Sequence, residues 1–326
     1  MTVVAVDLFA GAGGFSTGAE QAGVHVAVAA NHWPLAVDVH ERNHKSTKHH
    51  CQDLRQFDFS TLPAFDLLLA SPSCQGHSRA GRPARARSAA WRRTHDTYRA
   101  TAWAVVDCLE VCRPRAAIVE NVPEFFAWEL FPEWLACMCK LGYQVTKQVL
   151  TASFWGVPQR RKRAVLVATQ GTPIGVHDLP VPEAVASDVF DPDANGWIPI
   201  AEIRESATRK PGHARRTSSR ERATESNRRA EGRLAWGQHV NAPSLWGRDP
   251  TAGPVNTLTT QCASQLFWTR DGQYRQWNRS ELLRAMTFPT TYDLAGARKA
   301  DVGKLIGNAV PPLLAKGVVS HVVQRL

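Results

Sequence analysis

Residues 3–22 read VVAVDLFAGAGGFSTGAEQA, and this stretch decides the fold. Val3–Phe9 is an apolar, β-branched run of the kind that forms a buried strand. It breaks at Gly11, Gly13 and Gly14, and a helical pattern follows over Phe15–Ala22. Glycines at a strand-to-helix turn let the backbone bend sharply and come close to a ligand. The dinucleotide spacing G-x-G-x-x-G does not fit here, and a glycine turn alone is a weak signal because several kinds of nucleotide-binding fold use one.

The alternation continues outward to about Leu179. Further strands are expected at His25–Ala30, Asp66–Ala70, Ala116–Val119, Val145–Leu150 and Arg163–Ala168. Helices are expected at Pro34–Arg42, Tyr98–Val111 and Leu130–Leu141. Continuous apolar strands alternating with helices predict an α/β fold, a mostly parallel, doubly wound sheet covered on both faces. Ligands of such sheets sit at the carboxyl ends of the strands. After about Val181 the character changes. Asp188 to Gly247 has few apolar runs and many arginines, among them Arg204, Arg215, Arg216, Arg222 and Arg229. Such a run is either a solvated or disordered segment or a phosphate-contacting surface. Regular patterning returns from Pro254.

A chain of 326 residues with 44% hydrophobic and 21% charged content has a globular composition. At this length roughly 75% of the unfolded surface can be buried. The formal charge of +10 favours a polyanionic partner, most simply nucleic acid. No apolar run approaches the ~20 residues that span a membrane. The apolar N-terminal run leads straight into the glycine turn and reads as a core strand rather than a signal peptide. The seven cysteines are scattered without a CxxC pair, so no metal site is expected. Their odd number suits a reducing cytoplasm.

Three groups carry chemistry. Asp66–Gln75 reads DLLLASPSCQ, which delivers Cys74 just past a strand. Glu120 follows the apolar run Ala116–Val119, where a carboxylate is costly to bury unless paired or protonated. Gln159-Arg160-Arg161-Lys162-Arg163 is a cluster of basic residues. A single cysteine is ordinarily a small core residue. The order of these groups behind the glycine turn gives Cys74 another reading.

That order resembles the DNA cytosine-C5 methyltransferases, over most of Val3–Ala168 and Pro254–Leu326. Asp7–Phe15 looks like the family's first motif, and Pro-x-Cys-Gln-Gly at Pro72–Gly76 like its Pro-Pro-Cys-Gln-Gly. Glu120-Asn121-Val122, Gln159-x-Arg161-x-Arg163 and Pro254–Thr260 follow in the family's order. Gly307-Asn308-Ala309-Val310-Pro311 matches a motif of high specificity. The resemblance implies a class I, Rossmann-like methyltransferase with a small inserted target-recognition domain. The segments are then 1–185 (catalytic and cofactor-binding), 186–253 (target recognition) and 254–326 (a return that completes the catalytic domain).

The implied cofactor is S-adenosylmethionine. Phe9, Gly11, Gly13 and Gly14 would meet its methionine portion, with Asn308 and Ala309 nearby. Trp33 would pack on adenine, and Asp53-Leu54 would supply the acidic contact to the adenine amino group. His32 stands where the family carries the acid that holds the ribose hydroxyls; a neutral imidazole accepts one hydrogen bond, not a bidentate pair. Cys74 would be the nucleophile at cytosine C6, Glu120 would contact N3 and the amino group, and Arg163 would donate to O2 with Arg161 positioning it. An unperturbed thiol has a pKa of about 8.5. His77 and the arginines of the following loop are expected to raise its thiolate fraction. Gln75, Ser78, Arg79 and Arg82 belong to a loop that would close on DNA, and Arg215 and Arg216 would meet phosphates.

The implied partner is double-stranded DNA, with a cognate restriction endonuclease as a candidate second partner. A monomer is expected, cytoplasmic and nucleoid-associated, of prokaryotic or phage origin. The residues leave other functions open: an RNA cytosine-C5 methyltransferase, a catalytically weak DNA-binding regulator on the same fold, and an enzyme that uses a modified S-adenosylmethionine.

Overall fold

The computed structural model describes residues 2–77, 96–179, 181–203, 218–238, 244 and 246–326. These form two compact units: 1–156, 161–182 and 309–326 make one, 157–160 and 183–308 the other.

The first unit is built on a seven-stranded sheet. Its strands are β1 (Val4–Leu8), β2 (His25–Asn31), β3 (Lys48–Cys51), β4 (Leu67–Ala70), β5 (Ala116–Asn121) and β6 (Gln144–Thr151). A two-residue strand, β7 (Gln159–Arg160), belongs to the second unit, and β8 (Lys162–Thr169) completes the sheet. The order is β3-β2-β1-β4-β5-β8-β6. Pairing is parallel from β3 to β5, while β8 runs antiparallel to both β5 and β6. The chain winds outward in both directions from β1 and β4, so the loops after these two strands leave the sheet at its switch point. One of those loops is the glycine turn and the other carries Cys74.

β4 is wholly apolar and buried, and β1 and β5 are mostly apolar, with Asp7, Glu120 and Asn121 as buried polar exceptions in a sheet covered on both faces. β3 has no counterpart in the sequence reading. Lys48-His49-His50-Cys51 is polar because it is an edge strand with its ends exposed, and apolar patterning cannot reveal such a strand. β5 runs two residues beyond expectation, which places Glu120 inside the strand rather than after it.

Helix α1 (Gly14–Gln21) packs on the last helix, Pro312–Val323, at very close range. A Cβ on Gly18 would lie 2.5 Å from Pro312 O and 2.7 Å from Lys316 N, so only glycine fits. The last helix thereby returns the chain to the element that follows the glycine turn.

The second unit holds a four-stranded antiparallel sheet, ordered Ala235–Gln238, Leu266–Arg270, Gln273–Gln276, Ile198–Pro199. Its middle strands come from the segment after Pro254; residues 254–308 lie in this unit and 309–326 in the first. The arginine-rich stretch contains a helix, Ser219–Arg229, opened by a reciprocal Ser218–Glu221 capping box. Ala223 of that helix packs with Ile200, Ile203, Phe267 and Tyr274. Several of its arginines are engaged internally. Glu225 pairs with Arg228 and Arg229, and Arg220 donates to Ile203 O. Gly303 and Gly307 let their helix lie directly on Thr259-Thr260; a Cβ on either would come within 2.5 Å of a backbone oxygen there.

Candidate active site

Cys74 follows β4 in a turn that its neighbours fix. Asn121 Nδ2 donates to Pro72 O at 3.0 Å, His77 N to Cys74 O at 3.0 Å, and Ser73 N to Thr101 Oγ1 at 3.2 Å. Asn121, the residue after Glu120, thus ties the thiol-bearing turn to β5. Cys74 is half-buried. Burial pushes its thiol up, Arg163 opposes the rise, Glu120 adds to it and Arg161 opposes it.

Glu120 and Arg163 form a buried ion pair, with Arg163 Nε 2.7 Å from Glu120 Oε1. The strand register explains it. Glu120 pairs with Val165 across β5 and β8, and Arg163 is two residues along, on the same face. Arg163 Nη1 also donates to Lys162 O at 2.7 Å. Arg161 is 1% exposed and donates from Nη2 to Ala309 O at 3.0 Å, fixing the chain just after Asn308.

His77 does not do what the sequence suggested. Its ring is buried edge-on against Phe125 at 5.0 Å and Trp128 at 5.5 Å. Burial, with the Arg99 charge second, lowers its pKa to about 4, so near neutrality it has no charge to offer the thiol. Arg163 and Arg161 are the cations that favour the thiolate.

At the other loop, Phe9, Gly11 and Gly13 all lie in the left-handed region, with φ of 62°, 57° and 89°. For phenylalanine this costs about 1–2 kcal/mol, a strain found where function demands a particular backbone. Helix α1 starts at Gly14 with no side chain capping it, which suits an anionic group at its N-terminus. A Cβ on Gly11 would touch only Phe9 O, at 3.9 Å, so the outside of the turn has room for a ligand. These features fit the methionine end of S-adenosylmethionine.

Asn31 Oδ1 accepts from Trp33 N at 2.9 Å, the Trp33 ring is half-buried, and His32 is exposed. Asp53 caps the turn Leu54–Gln56, and Arg55 Nε donates to both of its oxygens, at 3.0 and 3.1 Å. Its carboxylate is therefore already held by a cation. Leu54 is buried. Asn308 ends the helix Lys299–Asn308 and is exposed. Gln75 is exposed beside Cys74. Ser78, Arg79, Arg82, Arg215 and Arg216 lie outside the described residues.

Among the described residues no cluster of His, Cys, Asp and Glu could hold a metal ion, and no helix is long and apolar enough to cross a membrane. Sequence reasoning missed a set of buried polar side chains under the glycine turn: Asp7, Ser16 and His40. The available signal was the pair His40 and His44, four residues apart at the C-terminal end of helix α2 (Pro34–Asn43), which His44 caps.

A sheet of this order, wound outward from a strained turn after its first strand, is the frame of a class I methyltransferase. The family model of the C-5 cytosine-specific DNA methylases matches residues 3–324, and the chain belongs to that family. It is a DNA cytosine-5 methyltransferase. The chain is similar to the Type II methyltransferase M.HindV of Haemophilus influenzae, 25% identical over 98% of this chain and 95% of the relative. It is also similar to the Type II methyltransferase M.MthTI of Methanothermobacter thermautotrophicus, 25% identical over 100% and 98%. Among solved structures, the Entamoeba histolytica methyltransferase EhMeth superposes with a TM-score of 0.67 at 13% identity, over 100% of this chain and 99% of that one. A Spodoptera frugiperda DNMT2 mutant gives 0.63 at 17%, over 99% and 100%. These two likenesses concern the fold.

Proposed function

We propose that the protein methylates C5 of a cytosine flipped out of duplex DNA, using S-adenosylmethionine and a covalent bond between Cys74 and C6. The buried Glu120–Arg163 pair beside the Cys74 turn carries this reading. Cytosine C5 is a poor nucleophile. Addition of the Cys74 thiolate to C6 converts the ring to an enamine that is nucleophilic at C5. Glu120 hydrogen-bonds at N3 and the amino group, and Arg163 donates to O2, so charge that develops on the ring meets fixed partners. Arg161 holds Arg163's strand to the backbone at Ala309. When bound, S-adenosylmethionine supplies the methyl group as an electrophile. Loss of the C5 proton and expulsion of the Cys74 sulfur then restore the aromatic ring and the free thiol.

Extruding the base costs a few kcal/mol, which contacts in the pocket offset. Phe9, Gly11, Gly13 and Gly14 are assigned to the methionine portion, Trp33 to adenine, His32 to the ribose, Asp53 and Leu54 to the adenine edge, and Asn308 and Ala309 to the methionine end. Gln75, Ser78, Arg79, Arg82, Arg215 and Arg216 are assigned to DNA. Target choice is assigned to the segment 186–253, and a cognate nuclease is a candidate partner. The test is incubation with labelled S-adenosylmethionine and either genomic DNA or structured RNA, followed by base analysis. Label in 5-methylcytosine from DNA supports the reading. Label confined to RNA, or to another base, overturns it.

A further inference from the structure

Asp7 is fully buried in β1, two residues before the strained Phe9. Its partners in register, Ala29 on β2 and Leu69 on β4, are apolar. Among the described residues its polar partner is Ser16, whose Oγ lies 2.7 Å from Asp7 Oδ2 and whose backbone N–H also favours the carboxylate, while Oδ1 is buried with no partner among them. From Ser16 a line of contacts leads outward. Ser16 Oγ is 3.0 Å from His40 Nε2, and His40 Nδ1 is 2.8 Å from His49 Nε2. His49 is half-buried on the edge strand β3, where the line meets solvent. Elements β1, α1, α2 and β3 each contribute one member.

We propose that Asp7, Ser16, His40 and His49 form a proton path that sets the charge under the cofactor turn, and with it the preference for the cationic methyl donor over its neutral product. The consequence for ligands rests on the S-adenosylmethionine reading above.

Donor and acceptor counting allows two states. With Asp7 ionised, Ser16 donates to Asp7, His40 Nε2–H donates to Ser16, and His49 Nε2–H donates to His40 Nδ1. With Asp7 protonated, every side-chain bond along the line reverses. Asp7 donates to Ser16, Ser16 to His40 Nε2, and His40 Nδ1–H to His49 Nε2, leaving the proton of His49 on Nδ1. Passing from the second state to the first releases one proton from His49 Nδ1, and both histidines stay neutral throughout. A buried carboxyl thus titrates through a histidine at the surface.

Other groups bear on the path. Glu20 faces Asp7 and raises its pKa, while His44, itself held by Glu20 at 2.9 Å, packs on His40. Glu41, His44 and His50 act on His49. Burial dominates at Asp7 and pushes its pKa up to about 7, whereas burial keeps His40 neutral near that pH. S-adenosylmethionine carries a sulfonium charge and its demethylated product does not. An ionised Asp7 favours the donor and so its exchange for the spent product, and a protonated one removes that preference.

Two measurements test this. In the cofactor-free protein, nitrogen NMR of the imidazole rings should show the His40 proton moving from Nδ1 to Nε2 as pH rises through about 7, the value for Asp7. Asp7→Asn should abolish that exchange. A single His40 tautomer throughout in the wild type, or an exchange that persists in Asp7→Asn, overturns the path. Calorimetry should then show product affinity falling relative to donor affinity by roughly three- to tenfold across the same range, the scale of one partly screened charge. Ser16→Ala, which removes the bond that favours the carboxylate, should move that midpoint upward. A pH-independent ratio in a protein that binds both ligands overturns the proposed preference. Failure to bind S-adenosylmethionine at any pH defeats the cofactor reading instead, and leaves the NMR measurement to decide the path.

Discussion

Arg163 Nε lies 2.7 Å from Glu120 Oε1, on adjacent antiparallel strands, with both side chains on the same face of the sheet. Both are nearly buried, so each is the other's compensation for lost water. The pair is a structural bond in the protein without a base, and under the proposed function its members become two separate ligands of the base. Removing one partner should therefore have two effects. Glu120→Gln keeps the shape and should lower turnover by at least about a hundredfold, the scale of a general acid–base group. Arg163→Ala should also destabilise the fold by roughly 3–5 kcal/mol, because it strands a buried carboxylate. Turnover assays and urea unfolding of both variants check this. Near-normal turnover in either contradicts the pocket.

Cys74→Ser should abolish methyl transfer and leave duplex binding largely intact. A duplex with 5-fluorocytosine at the target should trap the wild type covalently, because fluorine cannot leave C5 as a proton does. Burial raises the Cys74 thiol, so the reactive thiolate is a minority form near neutrality and trapping should accelerate as pH rises into the alkaline range. Trapping by the serine variant, or a rate flat in pH, would count against Cys74 as the nucleophile.

His32 is exposed at the end of β2, where a carboxylate would hold the ribose hydroxyls. His32→Glu should tighten S-adenosylmethionine binding, since a hydrogen bond to an ionised group contributes roughly 1.5–3 kcal/mol. Calorimetry on the DNA-free protein measures it. Weaker binding would mean that His32 makes a productive contact of its own, or that the natural cofactor carries an extra anionic group. A carboxylated analogue separates these.

Asp7 gives the protein a pH-dependent stability of unusual sign for a carboxyl group. Between the unfolded value of 3.8 and about 7, the folded state keeps a proton that the unfolded chain has released. Stability should fall as pH rises through that window, by about 4 kcal/mol in total at ~1.4 kcal/mol per pKa unit. Asp7→Asn should flatten the dependence and be the more stable protein above pH 7, as read from chemical denaturation at several pH values.

Gly18→Ala forces a methyl group into the backbone of the last helix. Overpacking of this kind typically costs 1–3 kcal/mol. A clear fall in the denaturation midpoint is expected, with weaker cofactor binding because α1 begins at the cofactor turn. An unchanged midpoint would show that the two helices separate easily.

The sequence alone determined the order of elements in the sheet domain and most of its candidate site. Apolar strands buried on both faces leave a continuous signature, and the turn glycines, Cys74, Glu120 and the arginines stand at the ends of those strands. The return helix was legible from Gly307-Asn308-Ala309, whose glycine packs on Thr259. Polar edges and partnerships between distant residues were not legible. β3 is an edge strand with little apolar content, so periodicity missed it. Its pairing beside β2 brings His49 to His40. The arginine-rich segment read as solvated or phosphate-contacting, yet it contains a helix whose arginines are largely engaged by Glu225 and backbone oxygens. His77 looked like a cationic group beside the thiol, but its ring is buried against an aromatic cluster, and burial, with the Arg99 charge second, keeps it neutral. Composition fixes which charges a chain carries. Burial and partner decide which of them remain charged, and both arise only when strands far apart in sequence are paired.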